Sequence, residues 1–371
     1  MAYEFDDLPL QSLLPALAKA EDQLARLDEI VRRSPVGEGF IQRGHFFDAA
    51  ASMWVSGELV HVEDIVLHDA HMNVRAPTHE LTLAHSILRI RRRIAGAEPD
   101  WAISEAGISV LAGSAPDETG RDRTSRRLVK IGQESADDDD DPFSQEFAAI
   151  DAILDRSQRL IEGLAEGRAA EPAPRSALVV GDLVIRDPDW DEKERLSQWR
   201  NVMRRVETLP PALAAAILFD AWETLEPTQR QHSLGGQLVS AYLRSRRKVT
   251  SHVLNFHVGL KAVPGERRRA PSRLSRLLAF LEAMSAAADL GIKEIYRLSQ
   301  AREQMERHLR GRRSSSNLPA VIELLLSRPM VSAPMIAKSA KVTPRAALNL
   351  VAEIGVREIT GRGRYRAWGL I

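Results

Sequence analysis

The stretch MVSAPMIAKSAKVTPRAALNLVAEIGVREITGRGRYRAWGLI, residues 330–371, carries the densest local signals in the chain. Thr343 followed by Pro344 is a helix N-cap with proline at the first helical position. From there Leu348, Val351 and Ile354 recur at three-residue steps on one face, and Gly355 ends the helix. Upstream, Ser332 predicts the cap of a shorter helix with Ile336 and Ala337 on its buried side; the small Ala337 lets the next helix cross closely. Before it, LPAVIELLLSRP (318–329) gathers Val321, Ile322, Leu324, Leu325 and Leu326 into a third short helix that stops before Pro329. After it, VREITGRGRYRAWGLI (356–371) alternates as two short strands around GRGR. Three short helices and a basic hairpin predict a winged helix-turn-helix.

The outward face of the helix starting at Pro344 holds Arg345, Ala346 and Asn349, with Glu353 further along. In a helix-turn-helix the second helix enters the major groove by its N-terminal residues, so Arg345 and Asn349 stand where base-reading side chains belong. Arg362, Arg364 and Arg366 spread along the hairpin, where they can meet phosphates. The candidate DNA-binding set is therefore Thr343, Arg345, Ala346, Asn349, Arg362, Arg364 and Arg366, and the expected partner is double-stranded DNA. A protein-interaction module is the alternative, because small three-helix folds serve both ends.

Charge supports the first reading. The whole chain balances 51 Lys and Arg against 51 Asp and Glu, yet residues 261–371 hold 21 of the basic residues and only 9 of the acidic ones. A basic segment of this size attracts polyanions through counterion release.

The rest of the chain is read as mostly α. Apolar residues make up 44% and aromatic residues only 5%, with Ala, Leu, Arg and Glu prominent, which favours helices over a β-sandwich. The absence of cysteine removes disulfides, thiolate metal sites and cysteine nucleophiles. The acidic N-terminus lacks the basic start of a secretory signal, and no apolar run nears the ~18 residues of a membrane span. A cytoplasmic protein is expected.

Helical spacing covers 8–32 (Leu13, Leu14, Leu17, Leu24, Leu27, Ile30, Val31), RSPVGEG breaks it at 33–39, and further helices are predicted over 44–72 and 78–95. The polar stretch 112–142, with five aspartates from Asp137 to Asp141, reads as a linker. A helix follows near 143–166, then ALVVGDLVIRD as a small hairpin, two helices either side of Pro210 and Pro211, and helical segments at 272–288 and 291–311. GRRSSSN (311–317) is a polar joint. The expected domains are 1–111 (helical), 112–142 (linker), 143–312 (helical) and 313–371 (winged helix-turn-helix).

This order of parts resembles bacterial Fic proteins that carry a C-terminal winged helix, most closely over residues 15–70 and 270–371. MWVSGELVHVEDIV (53–66) is similar to that family's segment in which a glutamate before glycine restrains the active site; here Ser56 precedes Gly57. The nearest counterpart of the family's catalytic loop is QRQHSLGGQLVSAYL (229–243). Aligned on its glycines, the family's histidine falls on Gln229, its acidic residue on Ser233 and its phosphate-binding arginines on Gln237 and Ser240. The resemblance therefore implies a Fic-like helical body without the catalytic motif, used for dimerisation or sensing. A Fic-like nucleotidyltransferase with displaced residues is a further alternative. The chain is more similar still to a group of rhizobial plasmid-encoded proteins that join a domain of unknown function to a C-terminal helix-turn-helix.

No catalytic residue, cofactor or metal is expected. His61, His68, His71, His79 and His85 crowd one region, but no carboxylate at ligand spacing completes a metal site. GxGxxG and GxxxxGK[ST] loops are absent. The function implied is a DNA-binding regulator, expected to act as a homodimer because one winged helix has a small footprint.

Overall fold

The spacing read over 8–32 closes as α1 (Leu10–Arg33), with Leu13, Leu17, Leu24, Leu27 and Val31 buried. Leu14 departs from expectation at 61% exposed, because the buried stripe advances by three or four residues from Leu13 through Leu17 and Ala20 and leaves it at the edge. The computed structural model describes residues 3–5, 7–72, 76–113, 190–228, 233–307, 317–359 and 366–370. The helix expected at 143–166 and the hairpin at ALVVGDLVIRD lie outside the described residues.

After α1 come α2 (Gly37–Val55), α3 (Val62–Asp69), α4 (His79–Gly96), a 3-10 turn (Trp101–Ile103) and α5 (Glu105–Leu111). Then follow α6 (Glu192–Arg205), α7 (Pro211–Leu225), α8 (Leu234–Ser245), α9 (Phe256–Ala262), α10 (Gly265–Arg268) and α11 (Arg273–Arg307). The chain ends with α12 (Leu318–Ser327), β1 (Val331–Ser332), α13 (Ala333–Ala340), α14 (Pro344–Ile354) and β2 (Ala367–Trp368). The protein is mostly α. Among the described residues no helix is long and apolar enough to cross a membrane.

Two expected boundaries moved. The single helix read over 44–72 is two, because α2 begins at Gly37 and ends where Gly57 takes a left-handed φ of 94°. The segments 272–288 and 291–311 are instead one helix, α11, of 35 residues and about 50 Å. Gly291 lies inside it where a Cβ would come within 3.0 Å of Leu27, so the position is set by close packing against α1.

Residues 1–116 and 189–371 form one compact unit. The N-terminal helices and those after residue 189 consequently share a core: α1 and α9 lie against α11, and α2 packs on α4 and α9. At its centre sits an ion pair with no access to water. Arg91 on α4 donates to Asp48 on α2 at 2.6 Å, and both side chains are 0% exposed. The same guanidinium donates to Gln237 on α8 (2.9 Å), to the Asn255 side-chain oxygen (2.8 Å) and to the carbonyl of Val253 (3.1 Å). Asp48 also accepts from the His257 backbone N–H at 2.8 Å and lies 3.1 Å from its Nδ1. Burial alone would raise the Asp48 carboxyl, but the Arg91 charge and the His257 contacts outweigh it and hold it at about 2.

Candidate nucleic-acid interface

The Thr343–Pro344 signal forms the helix start it predicts: the Thr343 hydroxyl accepts the Ala346 N–H at 3.3 Å, and Pro344 opens α14. Gly355 closes it with φ 73°, in the left-handed region where a side chain is disfavoured. The buried row differs slightly from the expected one. It runs Ala347, Val351, Ile354, while Leu348 is half-buried beside it. Met335, Ile336 and Ala340 of α13 and Val321, Ile322, Leu325 and Leu326 of α12 bury against this row. Ser332 caps α13 by position only; its hydroxyl meets the Met72 sulfur at 3.2 Å.

Between α13 and α14 the chain turns at Lys341, whose φ of 52° puts a non-glycine residue in the left-handed region. That conformation costs about 1 kcal/mol in a residue with a Cβ. Lys341→Gly is accordingly expected to raise the unfolding free energy by about 1 kcal/mol, measured by urea unfolding. An unchanged midpoint would show that Lys341 makes compensating contacts.

Arg345 and Asn349 are both exposed and lie four residues apart, one turn on the same face of α14. Ala346 between them is half-buried, and Thr343, although exposed, has its oxygen committed to the cap. Lys338, Lys341 and Arg357 are exposed as well, three basic positions that the reading of the outward face passed over. They lie on α13, the turn and the segment after α14, and no local pattern distinguishes them from other surface cations.

Residues 360–365, with Arg362 and Arg364, lie outside the described residues. On either side the chain is paired: Ile359 N–H donates to the Ala367 carbonyl at 2.8 Å, and Gly369 N–H to that of Arg357 at 3.3 Å. β2 also pairs antiparallel with β1, Val331 opposite Trp368. Arg366 donates twice to Glu358, at 2.9 and 2.7 Å, and lies over the Trp368 ring. Its charge is thus partly answered within the protein.

This C-terminal segment is docked on the helical body. At Gly39 of α2 a Cβ would lie 3.0 Å from the Leu326 carbonyl oxygen, so a side chain there would push α12 away by a few tenths of an ångström. One turn on, buried Arg43 donates to the carbonyls of Leu325 (3.3 Å) and Arg328 (2.5 Å), satisfying the orphan C-terminal end of α12. Arg328 reaches back to Asp69 at 2.8 Å, a carboxylate that also accepts from Arg92 at 2.5 and 2.9 Å. Burial would raise Asp69, but the hydrogen bonds from His85 and Arg92 and the charges of Arg92 and Arg328 hold it well below the usual carboxylate range. His85 lies edge-on to His68 with ring centres 4.7 Å apart, so two of the crowded histidines belong to this knot.

Residues 318–371 match a family described as a helix-turn-helix DNA-binding domain, and residues 184–310 match one described as a protein of unknown function (DUF1612). Over 382 aligned positions the chain is 43% identical to the uncharacterized protein y4cF of Sinorhizobium fredii (strain NBRC 101917 / NGR234), covering 100% of both. The chain belongs to the y4cF family. In this family member the C-terminal domain is a helix-turn-helix, with α13 and α14 as its two helices.

The positions singled out by the Fic comparison sit in the family's helical body. Gln237 is buried between Arg91, Asp48 and His257, and Ser240 is buried with its hydroxyl on the Leu254 carbonyl at 2.9 Å. Ser233 precedes α8 without a capping side-chain bond, Ser56 is exposed at the end of α2, and Gln229 lies outside the described residues.

Proposed function

We propose that the protein is a transcriptional regulator that binds duplex DNA through residues 318–371, with α14 as its reading helix. The observation that carries this is the pair Arg345 and Asn349, exposed one turn apart at the start of the second helix of a helix-turn-helix domain. Arginine can bond guanine O6 and N7 together, and asparagine can do the same at adenine N6 and N7. Lys338, Lys341 and Arg357 take phosphates on either side. The hairpin acts as a wing, adding Arg362, Arg364 and Arg366, the last by exchanging Glu358 for a phosphate. The protein works as a cytoplasmic homodimer. Its body is a Fic-like fold with no catalytic role, given over to dimerisation or sensing; the burial of Gln237 and Ser240, where that family places phosphate-binding arginines, supports this.

Selection from a pool of random duplexes across a salt series tests the reading. One sequence made of two half-sites is expected to be enriched, and Arg345→Ala with Asn349→Ala is expected to lose it. Each lost bidentate contact is worth about 1–3 kcal/mol of discrimination. Lys338→Ala is expected to weaken all sequences alike and to lower the salt slope by about 1. Sequence-blind binding unaffected by the double substitution would make the segment a protein-interaction module, and a monomer in light scattering with and without DNA would remove the dimer.

A further inference from the structure

Past α9 the chain reverses within a few residues. Val263 is buried and Pro264 opens α10, a single turn that carries Arg267, Arg268 and Arg269 outward at about 100° per residue. Their charges meet different fates. Arg267 pairs with Glu282 of α11 at 2.5 Å, and beyond the turn Arg273 and Arg276 converge on buried Asp220. Arg268, Arg269 and Lys261 of α9 have no ion-pair partner among the described residues. Glu266, exposed in the same turn, pairs with none of them, and Glu223 of α7 acts on Arg268 and Arg269 only at longer range.

Two of these three cations are held by an aromatic ring instead. Trp54 stands in the last turn of α2, 40% exposed, with Lys261 Nζ 5.3 Å and the Arg268 guanidinium carbon 5.9 Å from its ring centre. Attraction to the ring quadrupole fixes where a cation stands without cancelling its charge, and it consumes no N–H donor. Arg366 is the contrast, since it lies over Trp368 but spends two bonds on Glu358. Arg269 is exposed next to Arg268. Burial and this adjacent charge lower the Arg268 guanidinium from its ordinary value, a strain that an anion close to both would relieve.

We propose that Lys261, Arg268 and Arg269, set around Trp54, form a second contact for duplex DNA, gripping phosphates that flank the sequence read by α14. The proposal rests on the DNA-binding reading above. The three side chains offer donors only, which suits a ligand that only accepts, and phosphate oxygens do. One helix carries both contacts. Gly39 and Arg43 of α2 seat α12, and Trp54 lies about 22 Å beyond Gly39 along the same axis. A duplex turn is about 34 Å, so flanks of one turn are long enough to reach from one contact to the other. Phosphate contacts carry no sequence information, and the patch accordingly adds affinity and salt dependence rather than specificity.

Binding of the full-length protein is measured over a salt series on the duplex enriched by selection. One form is trimmed to the selected sequence, and the other keeps about 12 further base pairs on each side, a little over one turn. Wild type is expected to bind the long form more tightly and with the steeper salt dependence. Lys261→Ala, Arg268→Ala and Arg269→Ala together are expected to lower the salt slope on the long form by about 3, about 1 for each phosphate. On the trimmed form, and in the sequence enriched, the triple variant is expected to match wild type. Trp54→Leu keeps all three charges but removes their support, and a smaller loss on the long form is expected. A triple variant with the wild-type slope and affinity on the long form would overturn the second contact and leave the reading by α14 intact. Sequence-blind binding by wild type that the triple substitution still weakens would do the reverse. Failure to bind any duplex would sink both. Vesicles containing phosphatidylglycerol complete the test: capture that the triple variant loses, with DNA binding unchanged, would overturn the proposal in favour of a membrane surface.

Discussion

Asp48→Ala is expected to lower the unfolding free energy by about 3–5 kcal/mol, because it strands a guanidinium that cannot lose its proton inside the core. Arg91 is fully buried, and Asp48 is its one ionic partner among the described residues. Gln237, Asn255 and the carbonyls of Val253 and Leu254 would still accept from it, but they carry no charge to offset desolvation. Asp48 also accepts the backbone N–H groups of His257 and Val258 at 2.8 and 3.2 Å, so the substitution loosens the start of α9 as well. Arg91→Met should cost less, since the abandoned carboxylate can take up a proton. The double variant is expected to be more stable than Asp48→Ala alone, because replacing both charges removes the unpaired one. Urea unfolding of the three variants measures this, and a double variant whose loss equals the sum of the single losses would show that the pair is not coupled.

Acidification from pH 7 to pH 5 is expected to cost about 4 kcal/mol of stability, about 2 from each of His45 and His252. Burial comes first among the causes in both rings; the positive charges of Arg91 and Arg92 beside His45, and of Arg91 beside His252, add to it. These hold His45 down at about 3 and His252 at about 4. Asp28 lies 3.8 Å from His252 and pulls the other way. Its effect is smaller than that of burial, its carboxylate being already engaged by Thr250 and Ser251. In the unfolded chain both imidazoles protonate near pH 6.5. Between that pH and about 4 the unfolded state therefore binds more protons, and stability falls as pH is lowered. Asp28 and Asp48, both held at about 2, are charged in either state above pH 5 and do not obscure the window. Unfolding free energies at pH 7, 6 and 5 give the slope, and His45→Gln is expected to remove about half of it. A flat profile would mean that the folded and unfolded states take up equal numbers of protons over this range, so that burial does not hold these rings neutral.

The amino-acid sequence by itself determined the elements whose signals lie within a few residues of one another. Thr343, Pro344 and Gly355 specify α14 because cap and helix end satisfy their own backbone groups locally, and the outward placement of Arg345 and Asn349 follows from helical period alone. The mostly α class and the α1 stripe were legible for the same reason, although Leu14, one position off the stripe, was not. Only the tertiary structure decided which charges are spent and which are free. Arg366 looks like its neighbours along the chain but meets Glu358 across the hairpin. Arg91 and Gln237, 146 residues apart, share one buried site with Asp48, and Arg328 finds Asp69 across 259 residues. His45 and His252, each with one ring nitrogen that has no hydrogen-bond partner, likewise come together only where α2, α4 and the loop 250–253 converge. Side-chain ionic contacts are chosen by packing between distant helices, and a long-range partner leaves no periodicity in the chain to announce it.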